Sequence, residues 1–464
     1  MFIFFSLVIL MISVLLYKKA SGFLGLKYYN LGMFVFYNML IFTFFSSIQI
    51  LYGLEPPGYI PTFSESETLR LFGWLVVMYT MLGIPSGMIF ANHIFGINSM
   101  KKLVFCYHHK EPVISDNSGF KNTIMFFSVL TFIVFIYSIV SQADKVPFFA
   151  FLSGDDTILE LMRLRRNSGF KSESYIFQNL VILLTGILPV FCYTSFFYWR
   201  KFRTWKNFFW FVFSFFTSII YSISALVKGP VVYLLLGMVF AFFMASKKKY
   251  NLSKLLPIGL LFLFLMGILS VFFQGVEKSG TFGVFDYLII GVGAFFHRVC
   301  FGQLICSYLA FDYFPAIHEH LGFSSTGRAI HDILGLPFSD DYGIIVMSIF
   351  RPEQVAAGTA GHATTMFFGE AWANFGYFGI LIAPLWVGFV TQIVNIFFLK
   401  IEKKPFNMAL YIFFLIILPI NSSFIGFYYP AWLIQYLLLI GLIYFFYYLF
   451  NDKIRFNFKE KNYV

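Results

Sequence analysis

The chain has 464 residues, of which 59% are hydrophobic and 12% charged, with a mean hydropathy of +0.78 and a formal net charge of +11. This composition excludes a soluble globular domain. It predicts an all-α polytopic integral membrane protein, because apolar runs of about 20 residues cross a bilayer as helices, whereas barrel strands are shorter and alternate in polarity.

Apolar runs long enough to cross a membrane recur about eleven times. The predicted spans lie near 2–17, 31–52, 71–95, 122–141, 176–198, 208–227, 231–246, 255–273, 374–399, 408–424 and 431–450. The first run is interpreted as a retained helix with its N-terminus outside, because no positive charge precedes it and Lys18 and Lys19 follow it. We therefore expect a single transmembrane domain over 1–464 with about 11–12 helices.

Basic residues are concentrated in alternate loops, as the positive-inside rule expects of cytoplasmic segments. Those loops contain 22 of the 33 basic residues, and 19 of the 22 are lysine. The net charge is therefore mainly a topology signal, and no nucleic-acid partner is expected. The other loops, which we place outside, contain seven arginines: Arg70, Arg163, Arg165, Arg166, Arg298, Arg328 and Arg351.

The positive-inside rule does not explain this concentration of arginine in the outer loops. A guanidinium group binds phosphate or carboxylate through two parallel hydrogen bonds and keeps its charge in a dry site, whereas lysine is a hydrated point charge. The outer arginines therefore suggest an anionic ligand near the outer leaflet. Surface ion pairs with the outer acidic residues are the alternative interpretation.

The first long outer loop, 142–175, includes a stretch in which apolar residues form a rough stripe while Arg163 and Arg166 share a polar face. This pattern predicts an interfacial helix that presents arginines. Alternatively, Glu160 pairs with Arg163 and the helix only seals the bundle.

Residues 284–311 are apolar enough to cross, yet a crossing would place the next long loop in the cytoplasm, against the basic loop at 400–404. Irregular backbone at membrane depth persists where protein or a water-filled cavity covers it. The segment is therefore predicted to be re-entrant or interfacial and to bring His297 and Arg298 to a cavity wall. Two short half-spans, or a true crossing with a miscounted helix elsewhere, remain open.

The second long outer loop, 312–365, is too long for an idle connection and is predicted to be a lid or binding element. Its His318, His320 and His331 lack the spacing of zinc motifs, so no metal is expected. No cofactor is expected either, because the glycines near 291–293 lie in an apolar run rather than in a strand–turn–helix context.

The end of this loop and the start of the next predicted helix have the sequence GHATTMFFGEAWANFGYFG, residues 361–379. This stretch places His362, Glu370 and Asn374 where a polar loop enters a helix. This pattern resembles bacterial oligosaccharide repeat-unit (O-antigen) polymerases of the Wzy type, in which a Gly/His-containing stretch precedes an acidic residue, an aromatic residue and an NFG..G entry into a helix. SALVKGPVVYLLL at 224–236 is similar to that family's outer turn, with Lys228 in place of an arginine.

The resemblance implies an inverting glycosyltransferase with a GT-C-like fold and two long periplasmic loops, in a bacterial inner membrane. Such an enzyme transfers undecaprenyl-pyrophosphate-linked oligosaccharide onto another lipid-linked repeat unit at the periplasmic face, in O-antigen, lipopolysaccharide or related polysaccharide biosynthesis. The implied partners are this lipid-linked substrate, membrane lipids and a chain-length regulator. A related O-antigen ligase and a lipid-linked oligosaccharide flippase are the alternatives, although spans nearly free of charge disfavour the flippase.

Site roles follow from the resemblance. The cations expected around the pyrophosphate are Arg163, Arg166, Lys228, Arg298, Arg328 and Arg351. His362 or Glu370 is the candidate base, and Asn374, Trp372 and Tyr342 are the candidate sugar contacts. Alternatively, Glu370 and Asn374 cap a helix N-terminus, and the aromatic residues belong to an interfacial belt.

Overall fold

The computed structural model describes residues 1–54, 67–115, 119–153, 160–161, 163–164, 175–246, 293, 301–325, 331, 335, 337–339, 342–359, 361, 363, 365–418, 424–428 and 436–449. These ranges are helical and contain no β-strand. The helices are α1 (Phe2–Ser21), α2 (Leu31–Leu51), α3 (Glu67–Ile94), α4 (Met100–His109), α5 (Gly119–Val140), α6 (Pro147–Ser153), α7 (Tyr175–Gly186), α8 (Leu188–Phe202), α9 (Trp205–Ser224), α10 (Lys228–Ala245), α11 (Gln303–Tyr313), α12 (Tyr342–Phe350), α13 (Pro352–Ala356), α14 (Phe367–Lys400), α15 (Pro405–Ile417), α16 (Ile425–Tyr428) and α17 (Tyr436–Leu449).

Seven apolar segments in the described ranges are long enough to cross a membrane: Phe2–Tyr28, Leu31–Leu51, Glu67–Ile94, Gly119–Val140, Leu180–Phe202, Trp205–Ser224 and Phe367–Lys400. Shorter apolar helices are Gly229–Ala245, Pro405–Ile417 and Tyr436–Leu449. The helical fold fits a multi-pass membrane protein, as the sequence predicts. Ten of the eleven predicted runs overlap described helices, although the run at 176–198 covers both α7 and α8 and the run at 408–424 overlaps α15 only as far as Ile417. The run at 255–273 lies outside the described residues.

The chain divides into two compact units. The first unit comprises 1–110, 250–401 and 418–430, and the second comprises 111–249, 402–417 and 431–464. Of the predicted segment 284–311, only residue 293 and residues 301–311 are described, and the latter lead into and form most of α11.

In the first unit, α14 packs along α3 through glycines. A Cβ atom on Gly87 would overlap the carbonyl oxygen of Leu385, and one on Gly388 would overlap the carbonyl oxygen of Ile84. Helices in lipid gain little from the hydrophobic effect, so close backbone approach at small residues supplies much of their packing energy. These glycines therefore hold α3 and α14 together.

Buried amides join the ends of several helices in the same unit. Asn92 of α3 donates to the carbonyl oxygen of Ala20 at 2.8 Å and accepts from Gln392 of α14 at 2.7 Å. Asn395 donates to Gln392 at 3.3 Å and accepts from the backbone N–H of Leu31 at 3.3 Å. Because buried polar groups must be satisfied within the protein, this chain of amides fixes α1, α2 and α3 against α14.

In the second unit, α8 packs against α9 and α15. The indole nitrogen of Trp210 on α9 donates to the hydroxyl of Ser128 on α5 at 3.0 Å. Phe135 and Ile139 of α5 form a buried cluster with Leu188 at the start of α8. These contacts hold α5, α8 and α9 together.

Candidate functional site

The long helix α14 is broken at Gly376, whose φ of 57° and ψ of −137° are not helical. A positive φ of this kind favours glycine, because a side chain there is strained. A Cβ atom at this position would also lie 3.0 Å from Nε2 of His320. The break separates a segment over 367–375, which carries Glu370, Trp372 and Asn374, from the spanning part of the helix.

Glu370 is 1% exposed and lies in the first turn of α14. Its Oε2 atom accepts hydrogen bonds from the backbone N–H groups of Phe424 and Ile425, the latter at 3.3 Å. Hydrogen bonds between a carboxylate and backbone N–H groups are stronger than those between neutral groups. The carboxylate therefore fastens the segment 424–428 to the start of α14.

Asn374 is 1% exposed and joins three parts of the chain. Its Oδ1 atom accepts from the hydroxyl of Ser325 at 2.9 Å, and its Nδ2 atom donates to the hydroxyl of Tyr428 at 3.4 Å. Its backbone oxygen accepts from the N–H of Gly322 at 2.8 Å. Residues 321–325, 367–376 and 424–428 thus form one polar structure, which we call the junction.

Trp372 is buried at 5% exposure, and its indole nitrogen donates to the carbonyl oxygen of Phe314 at 2.8 Å. Its ring lies edge-on to the rings of Phe72, His320 and Tyr377, at centroid distances of 5.2, 5.6 and 4.9 Å. Tyr377, at 70% exposure, and His320 are the exposed members of this group. The accessible surface of this group is therefore formed by Tyr377 and His320 rather than by the enclosed indole.

Tyr342 begins α12 and is buried, with its hydroxyl hydrogen-bonded to that of Thr365. The next residue, Met366, donates its N–H to the hydroxyl of Ser307 at 2.9 Å. These bonds connect the start of α14 to both α11 and α12.

Burial, followed by smaller effects of Asp312 and Cys306, raises the pKa of the Tyr313 hydroxyl to about 12. That hydroxyl is therefore protonated at neutral pH.

Arg351 lies between α12 and α13 and is partly exposed. Its guanidinium carbon lies 4.8 Å from the ring centroid of Phe350, and Nη1 lies 4.0 Å from Oε1 of Glu353. Exposed pairs of this length contribute little to stability. The guanidinium therefore keeps most of its capacity to bind an anion.

The structure brings Tyr342, Glu370, Trp372 and Asn374 together around the start of α14, and Arg351 belongs to the same unit. Arg163 and Lys228 belong to the second unit, where Arg163 is exposed and Lys228 begins α10. Four predicted site residues lie outside the described residues: Arg166, Arg298, Arg328 and His362. Their roles stay predictions.

The second unit contains a cavity of about 340 Å³ beside the turn that precedes Lys228. Its lining includes Gln142 and Lys145 from the loop after α5 and Ser224 and Pro230 from the segment 224–236. In the same turn Leu226 has a φ of 51°, which is rare for a bulky residue and is concentrated at functional turns. The structure thereby adds the exposed Lys145 to the candidate cations.

Sequence reasoning does not single out Lys145, Ser325 or Tyr428. Lys145 lies in a loop without a motif, and Ser325 and Tyr428 are separated from Asn374 by about 50 residues on either side. Only the fold reveals such partners. The described residues contain no group of three or more His, Cys, Asp or Glu side chains that could hold a metal ion.

No family model, curated protein or solved structure matches this chain. The function is therefore inferred from the residues and their geometry.

Proposed function

We propose that this protein is a polysaccharide polymerase, an inverting glycosyltransferase that joins undecaprenyl-pyrophosphate-linked repeat units at the outer face of a bacterial inner membrane. The observation that carries the proposal is the junction, a buried polar structure at the end of a spanning helix in an otherwise apolar protein. The concentration of arginine in the outer loops supports the proposal, because guanidinium groups bind phosphate and the proposed substrate carries a pyrophosphate.

The chemistry needs two kinds of group. A hydroxyl of the acceptor sugar attacks the anomeric carbon of the donor, the bond from that carbon to the pyrophosphate oxygen breaks, and undecaprenyl pyrophosphate departs. Cations stabilise the charge on the departing group, and a base takes the hydroxyl proton. The pyrophosphate is already an activated leaving group, so no nucleotide is required.

His362 is the better candidate for the base. The Glu370 carboxylate is buried and accepts two backbone N–H groups, which fits a structural role. Histidine titrates near neutral pH without perturbation and lies eight residues before Glu370 in the same motif. Arg351 is the candidate in the first unit for binding phosphate.

The test uses purified full-length protein with undecaprenyl-pyrophosphate-linked repeat units, and the products are separated on a gel. We expect a ladder of polymers from the native protein, none from His362→Gln, and a much weaker ladder from Arg351→Ala. His318→Gln is the matched control, because His318 is exposed and outside the proposed machinery. Normal ladders from both test variants would contradict the assigned roles.

Two other products would contradict the polymerase itself. Transfer of a single preformed glycan to lipid A without elongation would identify a ligase. Translocation of the intact lipid-linked unit across a vesicle membrane without elongation would identify a flippase.

A further inference from the structure

A cavity of about 910 Å³ lies in the first unit, where the C-terminal ends of α1 and α3 meet the start of α4. Its lining includes Lys18, Lys19, His93 and Lys101, and none of its described lining residues is acidic. Asn92 contributes to the wall and is fixed by its bonds to α1 and α14. The cavity is therefore a preformed, positively charged site.

The backbone explains why these cations converge. Gly22 ends α1 with a φ of +83°, and a Cβ atom there would lie 2.6 Å from the backbone nitrogen of Lys101. The start of α4 thus packs directly on this glycine. The ammonium group of Lys101 lies 5.9 Å from the ring centroid of Phe23, and the N-terminal end of α4 adds the positive end of its dipole.

Apolar side chains next to the cavity indicate what kind of anion fits it. Leu15 is 65% exposed and lies one helical turn before Lys18 and Lys19 on the same face of α1. Phe90 is 59% exposed and lies one turn before His93 on α3. Two neighbouring helices therefore each present an exposed apolar surface that ends in a cationic or titratable side chain. A lipid-like anion, with a charged headgroup and apolar chains, matches this arrangement of cationic side chains beside apolar helix faces.

We propose that this cavity binds the phosphate of an anionic phospholipid headgroup, with the acyl chains along the exposed faces of α1 and α3. Topology accounts for lysines in these loops, but it does not require them to line one cavity. Basic pockets between helix ends are a recurring mode of lipid headgroup recognition. Gln392, which bonds to Asn92, follows Gly376, the last residue of the junction on α14, by 16 residues, so the cavity lies roughly 24 Å from the junction. The proposal is independent of the polymerase function.

The test measures lipid binding to the full-length protein in detergent by native mass spectrometry during titration with cardiolipin. Neutralising the three lysines together (Lys18→Gln, Lys19→Gln and Lys101→Gln) should weaken binding at least about tenfold, because each basic residue contributes severalfold to headgroup affinity. The charge-matched control is the triple change Lys201→Gln, Lys206→Gln and Lys400→Gln, at exposed lysines that do not line the cavity. Equal losses in both triples would overturn the proposal.

A steric variant tests the cavity without changing charge. Gly25 lines the cavity, has an extended backbone with φ of −85°, and nothing lies within 4 Å of where its Cβ would be. Gly25→Trp should therefore fill the space and lower cardiolipin occupancy. The matched control is Gly441→Trp on α17, which also has open space at its Cβ but does not line the cavity and should leave the occupancy unchanged. Phosphatidylethanolamine binding as tightly as cardiolipin would overturn the proposal. Displacement of cardiolipin by an equimolar amount of inorganic phosphate would instead show a soluble phosphate site.

Discussion

Glu370 is the residue whose substitution best separates a structural from a chemical role at the junction. Its carboxylate is almost fully buried and accepts the backbone N–H groups of Phe424 and Ile425. Glu370→Ala removes both bonds and leaves two buried donors, each bond to a charged group being worth about 1.5–3 kcal/mol, so we expect a loss of roughly 3–6 kcal/mol. Glu370→Gln keeps an acceptor oxygen of the same shape and should cost about 1–2 kcal/mol.

The assay is the thermal midpoint of the detergent-solubilised protein, followed by the monodisperse fraction on size exclusion, with the polymer ladder measured on the same samples. We expect Glu370→Gln to stay folded and to keep a ladder, and Glu370→Ala to aggregate at a distinctly lower temperature. If Glu370→Ala melts as the native protein does, the two bonds do not hold the segment 424–428 in place. If Glu370→Gln is stable but makes no ladder, the carboxylate has a chemical role and His362 loses its priority as base.

Two further predictions concern packing. Gly87→Ala should lower the thermal midpoint by an amount equivalent to about 1–3 kcal/mol or more, because the new methyl group overlaps the carbonyl oxygen of Leu385, whereas Gly25→Ala, in open space, should not change it. Trp372→Phe should cost only about 1 kcal/mol, since it keeps an aromatic ring and loses the bond to the Phe314 carbonyl, and Trp372→Ala should cost about 3–5 kcal/mol. A loss of the ladder in a fully stable Trp372→Phe would instead support the predicted sugar contact.

The spans were predictable from the sequence because a bilayer imposes length and apolarity on every crossing helix. The sequence predicts helices less well where membrane crossing does not determine the backbone conformation. Helix α4 is short and lies in a lysine-containing loop that is not apolar, so the hydropathy pattern does not predict it. The run at 408–424 corresponds to a helix that ends at Ile417, and the segment 424–428 instead bonds to Glu370.

The candidate site was located by its polarity, but its partners were not. GHATTMFFGEAWANFGYFG stands out because Glu370 and Asn374 are rare residue types at the entry to an apolar helix. Which groups they bond is a property of tertiary contacts that span about 50 residues in each direction. Likewise, NFGYFG does not reveal that Gly376 breaks the helix, since glycine is tolerated in membrane helices without a kink.

The break at Gly376 and the buried hydrogen bonds of Glu370 and Asn374 alter which of the predicted site residues are accessible for chemistry. A group that reacts with a sugar must be reachable, whereas Glu370, Trp372 and Asn374 are each enclosed and hydrogen-bonded to other parts of the chain. Their role in the proposed enzyme is to hold the loop and the segment 424–428 in a fixed position beside the spanning helix. The exposed Tyr377 and the partly exposed Arg351 of the same unit are then our candidates for stacking on a sugar and for binding phosphate in the proposed enzyme.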